Sequence, residues 1–503
     1  MRIPFPERVP LNRAALFAAV LFAVQRLEHT AFYFSFGCAV FILIAVFAFN
    51  LAGGLTRISG AYVFFYSLLV VIVGICYKAC LGEPGDSNLL DPRTDIEAYV
   101  GSIAAMLAAV IVSRRFSRKT GLLQNLLKDS RMYRAYVGCV AFGIAGSFII
   151  ALMGEGGAKL QSAFGQLNQL VPLGILIGVM YEIRRSGGTR SVSPSIVLAA
   201  SYYFFAWGLL SFSKQGLLLP LLCWALPVCA LRYRLTGVQV LACLLGVFLI
   251  FHYLFPYAQY GRSFREDNAT YSRDVAIAMP LIEHPMDTRK KYEETTTEDP
   301  PGYYNTTQGF WDRLQMISVD DGLINATDQG KVFGLWPVKA TFLNAIPHIL
   351  WPDKPDLRFG NRYTHEFNPK MPEEDTTTGI SYSATAEGYH WAKWVGILVV
   401  APLLWFLLFI VYDKLLGDLR ASPWGLLVIA QISHTAPEGM LSGVIYLVTF
   451  GVEIFVFCAL FATYIAPLFA IAVLGPDRRQ TAHLNPLRYM PIPAHPHKQP
   501  VGE

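Results

Sequence analysis

Long uncharged apolar blocks recur through most of this chain, and they limit the folds that it can adopt. Three of them are Ile196–Phe212, Leu217–Leu231 and Val395–Val411. A helix needs about 20 apolar residues to cross the hydrocarbon core of a bilayer, and these blocks approach that length. Only 15% of the 503 residues are charged, whereas soluble domains carry about 25%. The sequence therefore predicts an all-α polytopic membrane protein.

The hydropathy pattern predicts about twelve transmembrane helices. The predicted spans are 12–27, 30–52, 59–80, 96–113, 135–153, 168–182, 196–212, 217–231, 236–256, 395–412, 423–445 and 447–473. They divide the chain into an N-terminal membrane part, a large loop, a C-terminal membrane part and a tail, which cover 1–256, 257–394, 395–475 and 476–503.

Basic residues predict the orientation, because short loops rich in Lys and Arg remain in the cytoplasm. Such connections are Arg114–Arg134, Arg184–Arg190 and Arg232–Arg234. With twelve spans and a cytoplasmic N-terminus, all three lie on the cytoplasmic side together with both tails. The same arrangement puts the loop 257–394 on the outer side.

This outer loop is far longer than an ordinary connection, and loops above about 15 residues are generally functional or disordered. It contains 14 Lys or Arg residues and 20 Asp or Glu residues, so it is acidic in a chain that is basic elsewhere. The stretch His284–Tyr304 is polar and rich in proline, which predicts a mobile excursion. Apolar residues at helical spacing in Asp312–Trp351 predict helices at the membrane surface.

The sequence carries no pattern typical of a bound cofactor. None of the eight cysteines lies in the loop, and no zinc-ligand spacing, P-loop or Rossmann fingerprint occurs. The pair Asp320-Asp321 would need a third nearby ligand to hold a metal ion. A basic stripe suited to nucleic acid is also missing. We therefore expect no cofactor, no metal and no nucleic-acid partner.

Two clusters of basic residues are candidates for binding an anionic substrate. Arg262 and Arg265 are three residues apart, so on a helix they share a face and can clamp a phosphate. Their alternative role is to anchor the helix at the membrane surface. The segment Ile346–Pro355 holds three prolines, which exclude a regular helix. The stiff backbone either holds substrate-binding side chains in fixed positions or forms a rigid turn with solvated charges. The candidate binding residues are His348 and Lys354, followed by Arg358 and Arg362.

Two further clusters contain carboxylates. Glu387 and His390 precede the tenth predicted span, where the carboxylate can act as a base toward a sugar hydroxyl or bind it. The alternative is a carboxylate that stabilises a helix start. The segment His434–Gly439 places ionisable residues inside a predicted span, beside Pro437. It indicates either a proton relay or a helix break at the outer surface.

Four local features resemble the bacterial oligosaccharide repeat-unit polymerases of the O-antigen polymerase type. They are the step Phe212–Pro220, the pair Arg262/Arg265, the segment Ile346–Pro355 and the triplet Glu387–Tyr389. The family pattern often has Arg where His348 stands, which puts the role of that position in doubt. The resemblance implies a GT-C-like fold in the bacterial inner membrane, with the loop in the periplasm.

The resemblance also implies a reaction. A sugar hydroxyl of one undecaprenyl-pyrophosphate-linked repeat unit attacks the anomeric carbon of the growing glycan, and lipid pyrophosphate leaves. The residues expected to hold the pyrophosphate are Arg262, Arg265 and Lys354, with Arg358 and Arg362 in reserve. Glu387 or His348 would be the base, and His390 would contact substrate. A flippase and a chain-length regulator are the implied protein partners.

Two other functions fit the same architecture. One is an O-antigen ligase or another lipid-linked glycosyltransferase, and the other is a polysaccharide transporter or flippase. A transporter typically has paired broken helices and internal symmetry. The chain contains one broken segment, His434–Gly439, and no internal repeat, so surface chemistry is favoured.

Overall fold

The structure is a computed structural model. It describes residues 1–117, 120–152, 168–264, 271–297, 302–306, 309, 311–334, 336–344, 346, 351, 359–367 and 379–475. Within these ranges the chain forms helices and no strand, apart from one isolated antiparallel bridge between Arg2 and Arg234. The prediction of an all-helical protein is confirmed.

Seven helices of the described chain are long and apolar enough to cross a membrane. They are α2 (Phe32–Ala52), α3 (Ile58–Leu81), α4 (Pro92–Phe116), α5 (Asp129–Ile149), α9 (Gly237–Arg262), α15 (Ala384–Leu416) and α17 (Met440–Leu474). This is the composition of a membrane-embedded helical protein, as the apolar blocks predict.

The remaining predicted spans correspond to shorter helices of 10–17 residues. They are α1 (Leu11–Leu27), α6 (Leu170–Arg185), α7 (Pro194–Leu209), α8 (Lys214–Ala230) and α16 (Pro423–Glu438). Because these fall short of a full crossing by length, the number of twelve spans stays a prediction.

The structure has two breaks in the C-terminal part. The first lies at Gly439 and Met440, where Met440 adopts a left-handed backbone with φ 59°. This is the helix break that Pro437 and Gly439 predict, whereas the predicted span boundary near residue 446 is wrong. In α15 the backbone is non-helical at Ala392 and Lys393, so two helices meet there, and the second begins next to the predicted start at 395.

Five α-helices lie wholly within the described part of the loop. They are α10 (Tyr271–Glu283), α11 (Pro285–Thr297), α12 (Ile317–Asp328), α13 (Trp336–Asn344) and α14 (Phe359–Phe367). In the stretch 284–304, which the sequence predicts to be a mobile excursion, residues Pro285–Thr297 form the helix α11, and the mobility of this stretch stays a prediction. Its sequence supports a helix through i,i+4 pairs, Arg289 with Glu293 and Lys290 with Glu294. Helices α12 and α13 agree with the prediction for 312–351.

The core of the bundle is built by pairs of packed helices. Helix α2 packs against α4, α5 against α6, and α3 against α16. Large aromatic side chains such as Trp405 and Trp424 are fully buried between them. Asp413 of α15 accepts hydrogen bonds from Ile58 N (3.1 Å) and Ser59 Oγ (2.8 Å), so it caps the start of α3 from another helix.

The basic connections lie together at one end of the bundle. The Met1 amino group donates to Leu235 O, and Tyr233 donates to Thr189 O. Arg184 pairs with Asp129. These contacts join the N-terminal tail to three of the basic connections that the sequence predicts on a common side.

The loop is attached to the opposite end. Tyr303 donates to Gly85 O (2.6 Å), and Asn88 donates to Tyr303 O. Lys78 of α3 is fully buried there and lies 3.8 Å from the centre of the Tyr303 ring. The described part of the loop thus packs on the membrane helices and shares their core.

Candidate functional site

The start of helix α8 positions the first residue of the site. Ser213 caps the helix by accepting from Gly216 N (3.1 Å), which fixes the backbone at Lys214 and Gln215. Gly216 lies against α7 so closely that a Cβ atom would be 1.9 Å from the Trp207 carbonyl oxygen. Glycine is required here because any side chain would push α7 and α8 apart.

Three cations converge beside this helix start, and we call Lys214, Arg262 and Arg313 the basic group. With the Gln259 amide oriented so that its oxygen meets both donors, it accepts from Lys214 Nζ and from Arg313 at 3.1 Å. Arg262 donates to the Phe212 carbonyl oxygen at 3.1 Å. Both arginines are close enough for their charges to act on the Lys214 ammonium. The group joins α8, the end of α9 and the turn Trp311–Leu314.

Helix α16 provides a wall of the same recess. His434 and Glu438 are one turn apart, with 3.8 Å between Nδ1 and Oε1. The negative charge of Glu438 acts on Lys214 and on Arg313. Protein surrounds both side chains, yet His434 is 47% exposed and Glu438 39% exposed. They are therefore accessible to a ligand that enters the recess.

The side chains of this recess are suited to an anion. Three basic side chains meet here, Glu438 acts on Lys214 and Arg313, and Asp312 also acts on Arg313. Bringing like charges together is unfavourable in the absence of a counter-charge. Arginine and lysine are also the residues that bind phosphate oxygens through charge-assisted hydrogen bonds.

Glu387 lies in a different environment and is fully buried. Its carboxylate accepts from Ser442 N (2.7 Å), Ser442 Oγ (3.1 Å) and Tyr363 OH (2.9 Å). Ser442 stands in the first turn of α17, so Glu387 satisfies the start of a second helix. Gly396 supports this arrangement, because a Cβ there would be 1.8 Å from the Gly388 carbonyl oxygen.

His390 and Arg362 lie with Glu387 in a cluster rich in aromatic rings. His390 is buried and its Nδ1 is 2.8 Å from Thr327 Oγ1. The Arg362 guanidinium lies 3.7 Å from the centre of the Trp336 ring. Tyr363 lies between His390 and Glu387. Its ring centre is 5.9 Å from that of His390, and its hydroxyl donates to the Glu387 carboxylate.

The structure thus separates the residues that the sequence singles out. Arg262 belongs to the basic group, whereas Glu387, His390 and Arg362 lie in the aromatic cluster. The other predicted site residues lie outside the described ranges, namely Arg265, His348, Lys354 and Arg358. Their roles, like the catalytic role of Glu387, stay predictions.

Two members of the basic group escaped sequence reasoning. Lys214 lies inside the motif Phe212–Pro220 and is the one charged residue between two apolar blocks. Its position could therefore have identified it as a candidate site residue. Arg313 gives no such signal, since it is an ordinary polar position in the loop. Only the folded chain brings it to Gln259.

The chain matches no protein-family model, no curated protein and no solved structure. The case for a function therefore rests on the residues and their geometry.

The acidic pair Asp320-Asp321 fastens the loop to the membrane helices. Asp320 accepts from Tyr99 OH (2.8 Å) and Ser383 N (2.9 Å). Asp321 accepts from the backbone N–H groups of Leu90 and Asp91, each at 2.8 Å. No group of three metal-ligating side chains occurs in the part of the chain that the structure describes. Both carboxylates serve to dock α12 on α4.

The docking of α12 should depend on pH through Asp320. Burial raises the pKa of the Asp320 carboxyl from 3.8 to about 7. A raised pKa means that folding favours the neutral form, so docking is most stable below pH 4 and weakens as the pH rises through 7. We expect amide hydrogen exchange in α12, corrected for the intrinsic rate, to be faster at pH 8 than at pH 5.

The matched control is Asp320→Asn, which cannot titrate. In this variant the difference in exchange between pH 5 and pH 8 should largely disappear. An unchanged pH dependence would assign the effect to another group.

Proposed function

We propose that this protein is a glycosyltransferase that uses a polyprenyl-pyrophosphate-linked glycan as donor and polymerises lipid-linked repeat units. The observation that carries the proposal is the basic group, in which Lys214, Arg262 and Arg313 meet beside the half-exposed Glu438. This recess lies at the end of the bundle to which the loop is attached. It supplies both an anion site and a carboxylate for proton transfer.

The basic group is suited to the leaving group of this reaction. When the bond between the anomeric carbon and the phosphate oxygen breaks, its electron pair stays on the lipid pyrophosphate. Preorganised donors that meet such developing charge usually provide the largest share of catalysis. Two lysine or arginine contacts of about 1.5–3 kcal/mol each would stabilise this charge substantially.

Glu438 is the described carboxylate best placed to act as the base. The acceptor hydroxyl forms a new bond to the anomeric carbon and must lose its proton, which the carboxylate takes up. His434, one turn earlier, can hold that carboxylate in position. Glu387 is less suited, because its oxygens are occupied by Ser442 and Tyr363 and have no exposure.

Helix α9 offers a place for the lipid chain of the substrate. Only 6% of its most apolar stretch is buried, so side chains such as Leu241 and Leu244 are exposed and available to a lipid chain. The helix ends at Arg262 in the basic group. A polyprenyl chain lying along α9 would therefore bring its pyrophosphate to the cations from the membrane.

The finer architecture belongs to the same proposal. It comprises twelve crossings, a GT-C-like fold, and an inner-membrane location with the loop 257–394 in the periplasm. The clustering of basic connections at one end and of the loop at the other supports this orientation.

Reconstitution with substrate tests the proposal directly. The purified protein in liposomes is incubated with an undecaprenyl-pyrophosphate-linked oligosaccharide repeat unit. We expect a ladder of glycan lengths. A single shift of glycan onto lipid A-core would establish a ligase instead. Movement of the lipid across the bilayer without any product would establish a transporter.

A substitution in the recess tests the role of Glu438. Glu438→Gln keeps the shape of the side chain but removes its basicity, so transfer should fall by about 10²–10⁴-fold. The rate of ladder formation is measured at equal protein level. The matched control is Glu97→Gln, an exposed carboxylate that is likewise four residues from its partner, Arg93. Equal rates for Glu438→Gln and the wild type would exclude Glu438 as the base.

A further inference from the structure

A cavity of about 160 Å³ lies between helices α6, α7 and α8. The side chains that line it include Asn168, Gln169, Tyr203, Trp207, Ser213 and Gln215. We propose that this cavity binds the first sugar of the donor, the ring bonded directly to pyrophosphate. This inference rests on the proposed function and names a binding site that the reaction does not by itself locate.

The lining has the chemistry of a neutral polar ring. None of the described residues that line the cavity carries a charge. The amides of Asn168, Gln169 and Gln215 both donate and accept hydrogen bonds, as sugar hydroxyls require. Tyr203 and Trp207 add large flat apolar faces with a polar edge. A few polar groups set among aromatic walls are typical of small-molecule sites.

The size of the cavity agrees with one ring. A single water molecule needs on the order of 10–15 Å³, so 160 Å³ admits a molecule much larger than water. In the proposed binding mode, the other rings of the repeat unit extend out of the cavity.

The position of the cavity relative to the basic group is the main argument. Ser213 and Gln215 line the cavity, and Lys214 between them belongs to the basic group. In a helix, consecutive side chains point about 100° apart, so one short segment can face two adjoining sites. In the donor, the first sugar and the pyrophosphate are joined by a single oxygen. The two sites adjoin in the same way.

The walls are held in place before any ligand binds. Trp207 lies in the π-helical turn Phe204–Leu209, a type of turn that is frequent at functional sites. The Tyr203 and Trp207 rings are nearly parallel, at 26° and 6.3 Å. Gln215 Nε2 donates to Gln431 Oε1 at 3.4 Å, which links the cavity to α16.

Binding of lipids with and without a sugar tests this inference. The purified full-length protein in detergent is titrated with undecaprenyl pyrophosphate. It is also titrated with undecaprenyl pyrophosphate carrying a single glucose, galactose or N-acetylglucosamine. We expect at least one glycosylated lipid to bind about 10-fold more tightly than the bare lipid. Gln215→Ala should reduce this preference to about 2-fold or less, without changing the Kd of the bare lipid.

Two further variants make the result decisive. Asn168→Ala removes an amide from another wall and should have the same selective effect, which covers the case that Gln215→Ala fails to fold. Gln329→Ala removes an exposed amide at the end of α12 and should leave all Kd values unchanged. A preference that persists in both cavity variants would overturn the inference while leaving the proposed function intact. A wild-type protein that binds neither lipid would instead overturn the proposed function.

Discussion

Replacing Lys214 by methionine and Arg313 by glutamine in one protein is expected to lower the rate of glycan transfer by about 10²–10⁴-fold. In the proposed reaction, each residue would donate a charge-assisted contact of about 1.5–3 kcal/mol to the leaving pyrophosphate, and about 1.4 kcal/mol corresponds to a factor of ten in rate. The two contacts share Gln259, so the double effect will be smaller than the sum of the single effects. The measurement is the initial rate of ladder formation in liposomes.

The protein should remain folded after this double replacement. Arg313 is exposed, and removing the positive charge of Lys214 relieves its repulsion from Arg262. A matched control removes two cations elsewhere at the same end of the bundle, Arg93→Gln with Lys290→Met. Both are exposed and paired to a carboxylate four residues away. A double variant of the basic group that polymerises at the wild-type rate would refute the anion site.

Replacing Glu387 by alanine is expected to destabilise the fold by about 2–6 kcal/mol. The change leaves Ser442 N, Ser442 Oγ and Tyr363 OH without their acceptor in a place that water does not reach. A buried donor without a partner costs about 1–3 kcal/mol. The melting temperature of the detergent-solubilised protein should therefore fall markedly, with faster proteolysis of the loop.

The exposed carboxylate Glu97 provides the comparison for Glu387. Glu97→Ala should leave the melting temperature nearly unchanged, because a surface ion pair contributes little to stability. A Glu387→Ala protein that melts like the wild type but transfers no glycan would instead support the catalytic role predicted for Glu387 from the sequence.

Glu387 and Glu438 show where sequence reasoning is limited. Glu387 lies just before a predicted span and Glu438 lies inside one, so the sequence offers a reason to assign either carboxylate a chemical role. In the folded chain, Glu387 is sealed by Ser442 and Tyr363, while Glu438 keeps 39% of its exposure. The solvent exposure of each carboxylate depends on residues that are distant in the sequence, so a local sequence pattern cannot predict it.

The helical membrane class, by contrast, follows from the sequence alone. Each crossing of a bilayer needs about 20 consecutive apolar residues, and blocks such as Val395–Val411 approach this requirement in the sequence itself. The left-handed backbone angles of Met440 and Lys393 do not follow from the sequence, because composition does not reveal the backbone conformation at a break.

What only the tertiary structure decided is the membership of the candidate site. The sequence pointed to Arg262 and to the motif around Lys214, each as a separate feature. Folding brought both to Arg313, which lies about fifty residues beyond Arg262 in the chain. The physical reason is that charges interact through space, over a few ångströms. The helix ends at which they meet are set by the packing of the whole bundle.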